Sequence, residues 1–171
     1  MPSTEISLRT STIADLAVVD ALLSRAYPKL LKAHYPPSVL VTALPLISRA
    51  QPVLLQSGTY YVAEVEGHGI VGAGGWTRDR GSRHLGHIRH VVSDDRFQRR
   101  GIARALIRHT LNAAQAQAIT EMECWSTLTA EPFYAALGFV SEGPMEITLR
   151  PGIGFPSVRM RMALPAARRR S

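Results

Sequence analysis

Residues 86–103, GHIRHVVSDDRFQRRGIA, limit the possible folds more than any other stretch of the chain. His87 to Val92 is rich in β-branched side chains and holds neither Gly nor Pro, which predicts a strand. Ser93, Asp94 and Asp95 end it. Gln98-Arg99-Arg100-Gly101-Ile102-Ala103 follows, and Ala103, Leu106, Ile107, Thr110 and Ala114 then recur at the spacing of a core-facing helix. Arg104, Arg108, Asn112 and Gln115 fall on a polar face. A strand, a glycine-bearing loop and a helix in that order suit an anionic phosphate ligand. Gly101 and Ala103 carry little or no side chain, so a ligand can approach the backbone. The first amides of the helix lack intrahelical partners and carry the positive end of its dipole. Anions favour that position, and Arg99 and Arg100 add charge-assisted donors.

With 171 residues, a single domain spanning 1–171 is expected, with its core between about residues 5 and 164. No apolar run approaches the roughly 20 residues that span a bilayer. The opening MPSTEISLRT lacks a basic segment followed by an apolar one, so no signal peptide is expected. Cys124 is the single cysteine, which precludes a disulfide within the chain. A cytoplasmic location fits. The net charge of +7 suits nucleic acid, an anionic membrane or a phosphorylated ligand. The arginines are thinly spread, with small clusters at 99–100 and 168–170 and no basic run interleaved with aromatics. Neither nucleic acid nor a membrane is therefore expected as a partner, and the tail ALPAARRRS is expected to be a solvated end. A homodimer is left open. The six histidines show no pattern such as HExxH, so no metal is expected.

Elsewhere, Ile6–Thr10 alternates as a first strand, and Ser11 or Thr12 can cap a helix that ends near Tyr27-Pro28. Ser38 can cap a second helix, which Pro45 should kink or split. Thr59–Glu66 and Ile70–Thr77 flank a hairpin turn at Glu66-Gly67-His68-Gly69. Gly72, Gly74 and Gly75 imply a bulge or a close backbone neighbour in the return strand. Ile119–Ser126 is a strand, and a short helix within 127–137 closes at Gly138. Phe139–Glu142 starts a strand that Met145–Arg150 extends or repeats, and Val158–Leu164 is the last. The order β α α β β β α β α β β describes an α+β, or mixed α/β, domain around one sheet.

Two motifs then point to a family. Gln98-x-x-Gly101-x-Ala103 after a strand, followed some thirty residues later by Phe133-Tyr134-Ala135-Ala136-Leu137-Gly138-Phe139, resembles the GNAT superfamily of N-acetyltransferases. The resemblance covers essentially the whole chain. It implies a central, mostly antiparallel, splayed sheet flanked by helices, and acetyl-coenzyme A as co-substrate. In the family the pyrophosphate lies on the loop, here Gln98, Arg99, Arg100, Gly101, Ile102 and Ala103. The pantetheine arm pairs with the end of the fourth strand, here Val91, Val92 and Ser93, where that strand splays from the fifth. This chain departs from the family's common pattern at Ala103, where Gly is frequent. It departs again at Thr127, where an Asn often holds the cofactor arm.

Acetyl transfer to an amine requires a neutral nucleophile, a donor for the oxyanion and a proton for the departing thiolate. A thiol titrates near 8.5 and a tyrosine near 10, so a tyrosine keeps a proton to lend. Tyr134 matches the family's general acid, and a backbone N–H of Val91 or Val92 matches its oxyanion donor. Counting back from Gly101, His87 falls where some members carry a glutamate base, and an imidazole suits that task near neutrality. His90 is the second choice, on the opposite face by strict alternation. A water chain to Glu64 or Glu123 is a third. The segment Tyr27–Pro37 and Trp76 are expected to border the acceptor, with Asp94, Asp95 and Glu131 available for a cationic group. The implied function is N-acetyl transfer to a primary amine of a small molecule or peptide by direct attack in a ternary complex. The alternative is a coenzyme A-binding sensor or interaction module without turnover.

Overall fold

The computed structural model describes residues 5–166. Residues 1–4 and the arginine-rich end of the tail lie outside the described residues. Seven strands form one sheet: β1 (Ile6–Thr10), β2 (Tyr60–Val65), β3 (Gly69–Arg78), β4 (Leu85–Ser93), β5 (Glu121–Thr127), β6 (Val140–Arg150) and β7 (Ile153–Ala163). Their spatial order is β1-β2-β3-β4-β5-β7-β6. All neighbours run antiparallel except β4 and β5. The helices are α1 (Leu16–Leu31), α2 (Pro37–Ile47), α3 (Pro52–Leu55), α4 (Ile102–Ala116) and α5 (Glu131–Ala136). None is long and apolar enough to cross a membrane. Apart from the four-residue α3, the element order is that expected from the sequence.

The sheet is covered on both faces, and β2 shows how. Tyr60 and Val62 face α1, where they pack with Val19, Leu22, Leu23 and Ala26. Tyr61, Ala63 and Val65 point the other way, into the core that α4 fills with Ile102, Leu106, Ile107 and Ala114. Residues that alternate along the chain therefore serve two cores, which is what period-2 geometry allows. On α4 the buried set is Ile102, Leu106, Ile107, Thr110 and Ala114. Ile102 takes the core place expected of Ala103.

Two expectations about prolines are corrected. The α1 helix runs through Pro28 to Leu31, because Leu31 is buried against Tyr35, Ala43 and Phe155. That packing outweighs the one backbone bond Pro28 removes. The α2 helix is not split at Pro45, and Pro37 rather than a Ser38 cap opens it. Further on, β6 is one strand, bulged near Gly143, and β7 begins at Ile153, well before Val158. The final hairpin is thus two strands of 11 residues each.

The glycines of β3 mark close approach. A Cβ at Gly72 would lie 2.6 Å from Ile102 Cγ2 and 3.0 Å from Leu106 Cδ1, so this residue lets α4 sit down on the sheet. At Gly75 the obstacle is backbone: a Cβ would run into the Thr59 carbonyl and lie 2.6 Å from Tyr60 Cα. Backbone cannot swing aside as a side chain can. Gly75→Ala is therefore expected to lower unfolding free energy by about 1–3 kcal/mol in a denaturant titration. Gly81→Ala, whose new methyl would meet only the Asp79 carboxylate at 3.4 Å, should change it by less than about 0.5 kcal/mol.

Candidate active site

The site grows from the place where β4 leaves β5. Parallel pairing joins Leu85, Gly86 and His87 to Glu121, Met122 and Glu123, and stops there. Beyond it, β4 bulges against β3 between the Ala73 and Gly75 pairings. His90 carries the strain, with a φ of +50° that side-chain-bearing residues seldom adopt. Three hydrogen bonds hold it. Tyr60 Oη donates to the His90 carbonyl at 2.8 Å, Tyr27 Oη donates to the Val91 carbonyl at 3.1 Å, and His90 Nε2 meets the Ile47 carbonyl at 2.7 Å. A carbonyl only accepts, so Nε2 carries the hydrogen and a neutral His90 has its lone pair on Nδ1. Burial lowers the His90 pKa, against the pull of the Ile47 carbonyl.

The gap between the strands is a cavity of about 380 Å³. Val91, Val92 and Ser93 line it from β4, Cys124 and Thr127 from β5, Phe133 and Tyr134 from α5, and Ala103 from the first turn of α4. Tyr134 is buried, and burial pushes its pKa well above that of an ordinary tyrosine, with Cys124 adding to the shift. It therefore stays protonated at any physiological pH. The Cys124 thiol is itself pushed up to about 12 by burial, so it is no nucleophile at neutrality. Thr127 Oγ1 accepts the Ala130 N–H at 3.1 Å, which sets the turn into α5.

In the loop that leads into α4, Gln98, Arg99, Arg100 and Gly101 are exposed. Gly101 is the N-cap of α4 in a left-handed conformation, φ +75°, and no atom lies within 4 Å of where its Cβ would be. The space a ligand needs is open, and no side chain caps the helix end. Arg100 lies over the Phe97 ring at 5.1 Å. Ala103, in the first turn, faces the cavity. The strand end, Ala103 and Tyr134 thus line one cavity, and the exposed loop between Ser93 and Ala103 offers donors of the kind that suit an anion. Among the described residues no group of three or more His, Cys, Asp or Glu is placed to hold a metal.

Asp94 anchors the loop and does not face an acceptor. Its side chain is 1% exposed and takes hydrogen bonds from Arg96 N, Arg96 Nε, Arg96 Nη2 and Arg25 Nη2 at 2.7–3.1 Å. Asp95 pairs with Lys29 at 3.0 Å. Glu64 pairs with Arg9 at 2.6 Å, on a strand remote from the cavity. Trp76 is core, 3% exposed among the side chains under α4, and lines neither cavity nor groove. Of the Tyr27–Pro37 segment, Tyr27, Leu30 and Leu31 reach the cavity. Tyr35 instead ties this segment to β7, donating to the Pro156 carbonyl at 2.6 Å.

His87 is not in the cavity with Tyr134. It lines an adjoining groove of about 800 Å³, which meets the cavity at Ile88, His90 and Trp125. Its Nε2 lies 2.7 Å from Asp79 Oδ1, and its ring stands edge-on to Trp125. Glu123, buried on β5 in the same groove, is taken by Arg161 at 3.0 Å, by Arg159 and by Trp125. Sequence reasoning missed Arg89, Asp79 and Trp125 here. The run of basic residues from 78 to 89 was the available signal.

The four hydrogen bonds on Asp94 hold its carboxyl down at about 2. A depressed folded-state pKa stabilises the protein above the unfolded value near 3.9 and loses that stabilisation as pH falls towards 2. The Arg25 and Arg96 side chains are 37% and 66% exposed, which weakens the effect through solvent screening. Asp94→Asn should cost about 2 kcal/mol at pH 7 by denaturant titration, and should flatten the fall in stability between pH 4 and 2. An unchanged acid limb would separate Asp94 from stability.

Known proteins share this fold. The model of the acetyltransferase (GNAT) domain matches residues 43–164. No curated protein is significantly similar in sequence. Solved structures share the fold. A GCN5-related N-acetyltransferase from Rhodopseudomonas palustris is 19% identical, with a TM-score of 0.77 over 96% of this chain and 98% of that one. The phosphinothricin acetyltransferase of Sinorhizobium meliloti, in complex with acetyl-coenzyme A, is 21% identical at a TM-score of 0.67 over 95% and 89%. The PaiA N-acetyltransferase of Thermoplasma acidophilum, in complex with coenzyme A, is 11% identical at 0.72 over 94% and 99%. With its seven-stranded splayed sheet and a family model matched over most of its length, the chain belongs to the GNAT family of acetyl-coenzyme A-dependent acyltransferases.

Proposed function

We propose that residues 5–164 act as one N-acetyltransferase domain that moves an acetyl group from acetyl-coenzyme A to a primary amine of a small molecule or peptide, by direct attack in a ternary complex. One observation carries it. Tyr134, the β4 end Val91–Ser93 and the α4 residue Ala103 line the same cavity. In this reading the amides from Gly101 to Ala103, with Gln98, Arg99 and Arg100, bind the diphosphate. Val91, Val92, Ser93 and Thr127 flank the cofactor arm. A backbone N–H of Val91 or Val92 receives the oxyanion.

The amine enters from the groove. Its nitrogen attacks the thioester carbonyl carbon, a C–N bond forms and the C–S bond breaks. The surplus ammonium proton goes to His87, and the thiolate takes the proton of Tyr134. Both side chains exchange protons with solvent between turnovers. Asp79 supports His87 in this role. A carboxylate accepts the Nε2 hydrogen and leaves the lone pair on Nδ1. Burial raises the Tyr134 pKa, so its hydroxyl holds a proton at neutral pH for the developing thiolate to take.

The test is thiol release from acetyl-coenzyme A across a panel of primary amines. Tyr134→Phe should lower kcat by about 100-fold or more, while the Kd for acetyl-coenzyme A measured by calorimetry stays within about twofold. Equal turnover in the two proteins would remove Tyr134 from the chemistry. Coenzyme binding with no amine turned over by either would leave a binding module.

A further inference from the structure

The groove beside the cavity holds a cation with no counterion. Arg89 lies on β4, half-buried, and its Nε donates to Thr77 Oγ1 at 2.8 Å. That bond fixes the plane of the guanidinium. Its two Nη groups make no hydrogen bond, and no carboxylate lies within 4 Å of it, among the described residues. Both carboxylates of the groove are engaged. Asp79 is turned to His87. Glu123 is held by Arg159 and Arg161. Arg78 spends its Nη groups on the Arg83 and Gln117 carbonyls, and Arg80 is exposed. The groove is therefore left with unneutralised positive charge centred on Arg89. Burial and the neighbouring Arg80 both disfavour that charge, with Asp79 opposing them.

We propose that the acetyl acceptor carries a carboxylate close to its amine, and that Arg89 binds it. This rests on the acetyl-transfer function proposed above. A guanidinium whose Nε is already engaged offers its remaining donors as a planar fork that matches a carboxylate. The position fits a short acceptor. Arg89 stands two residues before Val91, just ahead of the kink at His90, so at most about 7 Å of chain separates them. The groove opens into the cavity at His90 and Trp125. A carboxylate on Arg89 leaves the amine of an amino acid or a similar small molecule facing the thioester position. His87 stands in the same groove to take its proton. The acceptor class is thus an amino acid-like amine, in preference to a polyamine, which an unpaired arginine repels.

The experiment compares L-amino acids with their carboxamides and with the matching amines that lack a carboxylate, scored by thiol release from acetyl-coenzyme A. The acids should exceed the carboxamides in kcat/KM by about tenfold or more. The difference should lie chiefly in KM. Arg89→Gln should bring that ratio close to one, and Arg89→Lys, which keeps charge without the fork, should fall between. Circular dichroism checks that both variants fold. Carboxamides or plain amines equal to the acids, or an acid-to-amide ratio that Arg89→Gln leaves unaltered, would overturn the assignment while leaving acetyl transfer in place. If no amine of any class released thiol, the acetyl-transfer reading itself would fall.

Discussion

Everything at this site depends on a kink in β4 at His90. Without it the strand would continue beside β5 and the gap would close. A left-handed φ at a non-glycine residue costs on the order of 1–3 kcal/mol. The surrounding structure offsets this with hydrogen bonds to both carbonyls of the kink and to the imidazole ring. Three separate elements supply them: α1 through Tyr27, β2 through Tyr60 and the end of α2 through Ile47. The helices that cover one face of the sheet therefore also hold the gap open. This places binding chemistry on rigid elements, where geometry is best kept.

A second constraint fixes the loop that follows. Asp94 gathers Arg25 from α1 and Arg96 from the next turn around one buried carboxylate. The chain then leaves the sheet in a set direction, with Gly101 as the left-handed start of α4. The exposed positive groups Arg99 and Arg100 immediately precede the uncapped start of the helix. The net charge of +7 is thus locally meaningful at this loop and in the groove around Arg89, more than as a property of the whole surface.

Much of this was legible in the residues. The β-branched run of β4, the apolar spacing of α4 and the hairpin at Gly67 each state a local preference that the fold obeys. The Gly101 and Tyr134 motifs were visible because their chemistry is local. The kink at His90 was not visible in β4 itself, where neither Gly nor Pro marks it: the glycines of β3 hinted at a bulge, but the residues that hold the kink lie 30 to 64 positions away. Strict alternation put His87 and His90 on opposite faces. The bulge breaks that alternation and brings His90 to the cavity wall, while His87 stays in the groove. Asp94 looked like an open carboxylate because its burial, and the bond from Arg25 69 residues distant, are tertiary, although Arg96 two residues on supplies its other bonds. Trp76 looked like a cleft residue because a sequence does not say which face of β3 the core α4 covers. Pro28 and Pro45 misled for a related reason: tertiary packing of Leu31, Ala43 and Phe155 overrides a local breaker.

The central claim is that the free amides at the start of α4 receive a diphosphate and so direct a thioester toward Tyr134. Backbone amide NMR measures this most directly. Titration with coenzyme A should shift the Gly101, Ile102 and Ala103 amides strongly, and titration with pantetheine, which lacks the diphosphate, should leave them in place. Shifts confined to other parts of the chain, or equal shifts with both ligands, would contradict the claim.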